Sequence, residues 1–224
     1  MNFLHTNSWR WKRSDLRYFW SDLALKEQLV QFYENERTLL NTLEGFAGSG
    51  LLDGESVIVI ATGKHLNELN SRLATQGFNL NELSSEGRYV PLVASRVLDK
   101  LMNNGMPDPS SFRAEIGNIY RKASGNGTRV RAFGEMVAML AAEDNMQAAL
   151  ELEALWNELA ESYAFYLHCA YPSTLFVGIG DAEPLAAVCG QHSHVIPSEG
   201  RGLAGPVHGD DRFHGAAGGF RSGR

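Results

Sequence analysis

The feature that most constrains the fold is a run of six residues, 56–61, that reads Ser-Val-Ile-Val-Ile-Ala. Apolarity here is continuous rather than alternating, which is typical of a strand buried on both faces of a parallel sheet. The run leads through a Thr-Gly-Lys turn at 62–64 into a segment with leucines at helical spacing, which Gly77 closes. A buried strand that turns directly into an amphipathic helix indicates an α/β domain.

The same alternation of β-type runs and helical segments continues along the chain. Asn35 is a suitable N-cap for the first helix, and Pro91 places its strand at an edge or in an irregular position. The predicted strands are 29–33, 56–61, 88–93, 129–133 and 165–171. The predicted helices are 35–50, 64–77, 95–104, 110–124, 135–142, 145–163 and 185–192. This order predicts a three-layer α/β domain with a mainly parallel sheet.

The clearest helical pattern spans 145–163. Its apolar stripe consists of Leu152, Leu155, Trp156, Leu159 and Tyr163. Four glutamates lie off that stripe, which predicts that they face away from the core: Glu151, Glu153, Glu158 and Glu161.

Composition narrows the class of protein. The chain has 224 residues, enough for one domain that folds without disulfides or metal. Two cysteines do not form a disulfide framework, so a reducing cytoplasm is the expected compartment. The longest apolar runs are about six residues, against the roughly twenty of a membrane helix. The net charge of −6 gives no general reason to bind nucleic acid.

Both ends of the chain differ from its centre. Residues 1–22 are basic and aromatic, with Trp9, Trp11 and Trp20, whereas 198–224 is a glycine-rich segment expected to be mobile. The N-terminal segment is either an arm that docks on a partner or on nucleic acid, or an extension that packs on its own domain or a twin subunit. We favour packing, because three tryptophans are unfavourable in water. The predicted domain is therefore 23–197.

Ligands of open α/β sheets bind beyond the carboxyl ends of the strands. This rule selects three turns, at 62–65, 134–136 and 169–172. Lys64 and His65 can engage an anionic or acceptor group, Glu135 can orient a donor, and Tyr171 can supply an apolar wall with one hydroxyl. Glu135 also suits a purely structural role in a first helical turn. The candidate ligand-binding residues are Thr62, Gly63, Lys64, His65, Arg131, Glu135, Tyr171 and His192.

The Gly63-Lys64 turn occupies the place of a phosphate-binding loop without its sequence. Ile58 stands where such a loop has its first glycine, and His65 stands where it has the serine or threonine that binds magnesium. Nucleotide hydrolysis is therefore not expected, although Lys64 and the helix start can attract one anion. Motifs of nucleophilic catalysis are also absent from the sequence, so we expect no catalytic residues and no cofactor.

Cys189, His192 and His194 have the spacing of metal ligands. The alternative is structural: Cys189 lies in an apolar run and acts as a small hydrophobe, while the two histidines cap carbonyls at a helix end. We expect no metal here.

Several segments, in the same order and spacing, resemble the MEDS domain, a methanogen/methylotroph sensory domain named partly after a dichloromethane-responsive repressor. The resemblance covers about 27–197. Its segments are 29–34 (Leu-Val-Gln-Phe-Tyr-Glu), 50–55 (Gly-Leu-Leu-Asp-Gly-Glu), 57–62 (Val-Ile-Val-Ile-Ala-Thr), 87–92 (Gly-Arg-Tyr-Val-Pro-Leu), 105–108 (Gly-Met-Pro-Asp), 130–137 (Val-Arg-Ala-Phe-Gly-Glu-Met-Val), 152–157 (Leu-Glu-Ala-Leu-Trp-Asn), 169–172 (Cys-Ala-Tyr-Pro) and 189–195 (Cys-Gly-Gln-His-Ser-His-Val).

This resemblance implies a RecA/KaiC-like fold whose phosphate-binding loop has degenerated, and a sensory role in prokaryotic signalling. The family's proposed ligands are small hydrocarbon derivatives. The chain departs from the pattern at Gln28, where relatives often have histidine, and at Val93, where aspartate is expected. If the family's polar groups at these positions line its pocket, the resemblance implies a lost or changed ligand.

We therefore expect a stand-alone sensory module that binds a small ligand and signals to a separate histidine kinase, regulator or transcription factor. It is expected to touch neither membrane nor nucleic acid, and a homo-oligomer is compatible with the fold. Two alternatives stay open: a divergent RecA/KaiC-like ATPase, and an oligomerisation or interaction module that uses the tryptophan-rich segment.

Overall fold

The computed structural model describes residues 26–177 and 182–196. The N-terminal segment 1–22 and the segment 198–224 lie outside these residues. Six strands form the central sheet: β1 (Gln28–Tyr33), β2 (Ser56–Ala61), β3 (Tyr89–Val93), β6 (Val130–Gly134), β7 (Phe165–Pro172) and β8 (His194–Ile196). Two short strands, β4 (Met102–Asn103) and β5 (Met106–Pro107), form a separate hairpin.

The strands of the sheet lie in the order β3-β2-β6-β7-β1-β8, and all neighbouring pairs among the described residues are parallel. The continuous apolar run 56–61 is β2, and it is buried throughout. Val57 and Val59 belong to one half of the core, whereas Ile58 and Ile60 belong to the other. The predicted parallel sheet, buried on both faces, is confirmed. The expected edge position of the strand that contains Pro91 is also confirmed.

The helices cover both faces of the sheet. They are α1 (Glu36–Leu52), α2 (Gly63–Thr75), α3 (Leu80–Ser85), α4 (Ala94–Leu101), α5 (Pro109–Ala123), α6 (Met136–Ala142), α7 (Met146–Ser162) and α8 (Ala182–Gly190). Helices α1 to α3 pack on the first face, and α4 to α8 pack on the second. The result is the expected three-layer α/β architecture. Within the described ranges, no helix is both long and apolar enough to cross a membrane.

The predicted helix 95–104 is too long, because α4 ends at Leu101. Asn104 and Gly105 both have positive φ, 51° and 81°, and they form the two-residue turn between β4 and β5. Asn-Gly is the preferred sequence for such a hairpin turn, so local turn chemistry overrides continuation of the helix.

Helix α3 was missed by the periodicity, although its start carries a clear signal. The side chain of Asn79 accepts a hydrogen bond from the amide of Glu82 at 3.3 Å, and its amide group donates to the carboxylate of Glu82 at 3.0 Å. Asparagine followed three residues later by glutamate is the signature of a capped helix start.

Candidate functional site

The carboxyl ends of β2 and β6 lie side by side at the point where the strand order of the sheet reverses: the chain continues from β2 to β3 on one side and from β6 to β7 on the other. Helix α2 follows β2 onto the first face, whereas α6 follows β6 onto the second. Adjacent strands whose helices leave to opposite faces create a crevice, the usual ligand site of open α/β sheets. The turns at 62–65 and 134–136 lie together at this position.

Glu135 bridges the two strand ends. One carboxylate oxygen accepts a hydrogen bond from the amide of Thr62 at 2.8 Å, and the other lies 2.7 Å from His65 Nδ1. The Glu135 amide donates to the carbonyl of Ile60 at 2.9 Å. Because a carboxylate only accepts, Nδ1 of His65 carries a proton. Glu135 and His65 are both buried, so the bridge fixes the start of α2 against β6.

Glu36 and Lys64 extend this bridge to the protein surface. Lys64 Nζ lies 2.6 Å and 2.7 Å from the two carboxylate oxygens of Glu36, the first residue of α1. His65 Nε2 lies 3.8 Å from the same carboxylate. The side chains of Lys64 and Glu36 are 71% and 49% exposed, so this pair is accessible to a solute. Glu36, Lys64, His65 and Glu135 are called the edge cluster below.

Electrostatics within the edge cluster follow from these contacts. The hydrogen bond to Glu135 raises the pKa of His65 above its ordinary value, against the opposing effect of burial. The hydrogen bond from Lys64 lowers the pKa of Glu36. Burial and then the charges of Glu135 and Glu36 raise the pKa of Tyr33, at the end of β1. The protonated form of His65 is therefore favoured between two carboxylates.

A second group of polar side chains lies under the second face. Glu153 of α7, fully buried, lies 3.2 Å from Cys169 Sγ, 2.9 Å from the Tyr171 hydroxyl and 3.5 Å from His192 Nε2. The thiol and the phenol donate to the carboxylate. Burial, reinforced by the charge of Glu153, raises the pKa of both Cys169 and Tyr171 well above their ordinary values. Glu153, Cys169, Tyr171 and His192 are called the inner cluster.

His192 is held from its other side by the helix that precedes it. Its Nδ1 lies 2.8 Å from the carbonyl oxygen of Val188 in α8, so Nδ1 donates to that carbonyl. Burial lowers the pKa of His192, but the carboxylate of Glu153 outweighs that effect and raises it. The expected structural role of His192 at a helix end is thus present, together with a contact that the sequence did not indicate.

The inner cluster corrects the interpretation of α7. Glu153 was expected to face away from the core, and it is instead fully buried. The charge of Glu153 argues for an outward position, although the residue lies three positions before Trp156 and therefore on the same side of the helix. The signal that exists is the pair Cys169 and Tyr171, two polar-tipped residues at alternate positions of a buried strand, which require a partner on the facing helix.

Besides Tyr171 and His192, which belong to the inner cluster, Arg131 also lies away from the edge cluster. Arg131 is paired with Glu55 and donates to Ser49 Oγ at 3.0 Å, buried between α1 and the sheet. It lies opposite Val57, near the amino end of β2, whereas Lys64 follows the carboxyl end. Gly63 is the first residue of α2, with open space where a Cβ would lie, so no close approach requires glycine there.

The three residues with metal-ligand spacing in the sequence do not lie together in the structure: Cys189, His192 and His194. His194 Nε2 lies 3.0 Å from Glu27, and the Cys189 thiol is only partly buried, with a pKa raised by burial. His192 instead joins Glu153 and Cys169, whose ligand atoms all lie within 4.8 Å of one another.

A cavity of about 390 Å³ opens beside His192 at the amino end of β1. Its lining includes Gln28, Asn157 and Lys26. Gln28 therefore faces this cavity. Val93 lies at the carboxyl end of β3, next to Ala61 of β2.

Comparisons with known proteins agree with this architecture. The structure is similar to the crystal structure of a KaiC-like protein from the hyperthermophilic archaeon Pyrococcus horikoshii OT3, with a TM-score of 0.52, 12% sequence identity, and coverage of 78% of this chain and 72% of that one. This likeness shows the fold. No curated protein matches the sequence. Residues 29–192 match the family described as MEDS, the methanogen/methylotroph, DcmR sensory domain. The chain therefore belongs to the MEDS family of sensory domains, on a RecA/KaiC-like α/β fold.

Proposed function

We propose that the protein senses a small molecule at the edge cluster and passes its state to a separate signalling protein. The observation that carries the proposal is the buried bridge from Glu135 to Thr62 and His65. It lies at the crevice between β2 and β6, where the strand order of the sheet reverses. The bridge ends in an accessible pair, Lys64 and Glu36, that a ligand can open.

The proposed ligand carries an acceptor group that takes the place of Glu36 on Lys64 and His65. Glu135 positions these residues rather than contacting the ligand, because its two oxygens are already bonded. Release of Glu36 frees the start of α1 from α2, whose contact it spans. The protein thus has two states, one with Glu36 paired with Lys64 and His65 and one with Glu36 released. A ligand shifts their populations because it binds the two states with different affinities.

Electrostatics favour this reading over nucleotide hydrolysis. Glu36 lies in the first turn of α1, and the Glu135 carboxylate accepts from the amide of Thr62 at the start of α2. These are the positions at which a helix attracts phosphate, and here protein carboxylates occupy them. A polyphosphate would meet two negative charges. We therefore propose that the module works by binding rather than by catalysis.

A thermal-shift screen of the full chain tests the proposal. The probes are formate, acetate, methanol and dichloromethane, with ATP and Mg²⁺ titrated separately by calorimetry. We expect at least one small probe to raise Tm in the wild type, and Lys64→Met to weaken its binding about tenfold, which is the effect of losing roughly 1.4 kcal/mol.

The matched control is Lys100→Met. Lys100 also forms an exposed ion pair, with Glu115, but far along the chain in α4 and α5. The Lys100→Met variant should bind the probe as the wild type does. Equal losses in both variants, or binding of ATP with Mg²⁺ in place of the small probes, would contradict the proposal.

A further inference from the structure

The inner cluster contains three different donor groups that the edge cluster does not use. They are the Glu153 carboxylate, the Cys169 thiol and the His192 imidazole, and all three residues are buried. Each comes from a different part of the fold, namely α7, β7 and the turn after α8. The fold therefore converges oxygen, sulfur and nitrogen donors on one point.

Two of the separations between these donors are close to those around a small tetrahedral cation. Metal–ligand distances of about 2.0 to 2.3 Å place tetrahedral ligands about 3.3 to 3.8 Å apart. Glu153 Oε2 lies 3.2 Å from Cys169 Sγ and 3.5 Å from His192 Nε2. Sγ and Nε2 lie within 4.8 Å of each other.

His192 supplies an independent observation that points to a ligand. Its side chain is 0% exposed, and among the described residues its Nε2 makes no hydrogen bond of good geometry, although Glu153 Oε2 lies 3.5 Å away. Because Nδ1 donates to the Val188 carbonyl, Nε2 is the ring atom directed toward Glu153, and it becomes a ligand when it carries no proton. A backbone carbonyl that orients a histidine in this way is the usual outer partner of a metal-binding imidazole.

We propose that Glu153, Cys169 and His192 bind a divalent transition-metal ion, and that Zn²⁺ is the cation these mixed donors fit best. Binding releases the thiol proton of Cys169 to solvent, together with the Nε2 proton of His192 where the imidazole is charged, and the metal–sulfur bond replaces the hydrogen bond from that thiol to Glu153. One thiolate and one carboxylate neutralise the two charges of the ion, so the buried site carries no net charge.

The surroundings provide a further partner for Glu153 and a neighbouring cavity. The Tyr171 hydroxyl donates to the other oxygen of Glu153 and holds the carboxylate in place. The cavity beside Gln28 and Asn157 is lined in part by His192, whose side chain is 0% exposed. Three protein ligands leave a fourth position on a tetrahedral ion open to water or a small molecule.

Cobalt titration of the full chain, after dialysis against a chelator, tests this site. Co²⁺ should give a near-ultraviolet thiolate-to-cobalt charge-transfer band and the strong visible bands of tetrahedral coordination, and Zn²⁺ should abolish both. Cys169→Ser should remove the charge-transfer band, and His192→Gln should lower the cobalt affinity at least about 100-fold. Cys189→Ser is the matched control and should keep the wild-type spectrum.

Histidines elsewhere in the chain cannot produce a sulfur band, so adventitious binding is distinguishable. If Cys169→Ser does not fold, as judged by circular dichroism, zinc X-ray absorption of the wild type decides: a sulfur atom at about 2.3 Å is expected. A weak octahedral cobalt spectrum, nitrogen and oxygen scatterers alone, or loss of the band in Cys189→Ser would each overturn the proposal. Lys64→Met should leave metal binding unchanged, so its outcome is separable from that of the proposed sensing site.

Discussion

At the scale of single residues, His65 lies between two carboxylates and provides a pH-dependent contact. Its Nδ1 lies 2.7 Å from Glu135, and its Nε2 lies 3.8 Å from Glu36. Lys64 and Tyr33 also face this region, and the charge of Lys64 partly opposes protonation of His65. The balance still raises the pKa of His65 above its ordinary value of about 6.5.

Replacing His65 with glutamine should therefore destabilise the protein most at low pH. A raised folded pKa contributes stability that is fully present below about pH 6.5 and is lost as pH rises through that folded pKa. At pH 6 we expect His65→Gln to lower the free energy of unfolding by about 1 to 2 kcal/mol, and at pH 9 by less. Urea unfolding at both pH values measures this difference.

A double-variant comparison isolates the cause. In a Glu135→Gln background, the main partner of the imidazolium is uncharged, so the pH dependence contributed by His65 should largely disappear. An equal effect of His65→Gln at pH 6 and pH 9 in the wild-type background would show that His65 does not titrate against Glu135.

At the scale of secondary-structure elements, Arg131 joins α1 to β2 and β6. Its side chain, 2% exposed, pairs with Glu55 and lies 5.6 Å from the ring centre of Phe46 and 5.4 Å from that of Tyr166. A Cβ at Gly50 would come within 2.8 Å of the Arg131 side chain. Glycine in this turn of α1 therefore makes room for a buried guanidinium.

Arg131→Met should remove this link and leave Glu55 buried with Arg129 as its remaining cation. We expect a loss of about 3 kcal/mol in the free energy of unfolding, because an incompletely paired buried carboxylate is unfavourable. The control is Arg113→Met, which breaks an exposed pair with Glu158 and should change stability by less than about 1 kcal/mol. Similar small effects for both variants in urea unfolding would contradict the structural role of Arg131.

The elements that the sequence predicted are those with local causes. Strand β2 follows from one apolar run, and the start of α1 follows from Asn35, whose side chain accepts a hydrogen bond from the amide of Thr38 at 3.0 Å. Strand β8 has three residues and gives no periodic signal. Its place beside β1 comes from pairing with residues more than 160 positions away, which local patterns do not encode.

The same distinction applies to the candidate sites. Thr62, Lys64, His65 and Glu135 could be predicted together because they follow neighbouring parallel strands, and the carboxyl ends of those strands share one edge. The role of Glu153 could not be predicted in this way, because its burial depends on how α7 is rotated relative to Cys169 and Tyr171. Arg131, another of the predicted ligand-binding residues, lies near the amino end of β6 and pairs with Glu55, a partner that its position within the strand does not reveal.

At the scale of the whole molecule, the two clusters lie on different sides of one sheet. The edge cluster belongs to the start of α1 and α2, on the first face. The inner cluster lies under α7 and α8, on the second face, and contacts the cavity at the amino end of β1. Binding of a ligand at the edge cluster can therefore be distinguished from binding of an ion at the inner cluster, because the two change the surroundings of different residues.

Backbone amide chemical shifts of the ¹⁵N-labelled full chain, measured during titration with the probe that raises Tm, test the central claim most directly. The account predicts that the largest changes fall on the amides of Glu36, Thr62, His65 and Glu135, and that Lys64→Met reduces them. Changes centred on Gln28 and Asn157, around the cavity, or no saturable change with any small probe, would contradict sensing at the edge cluster.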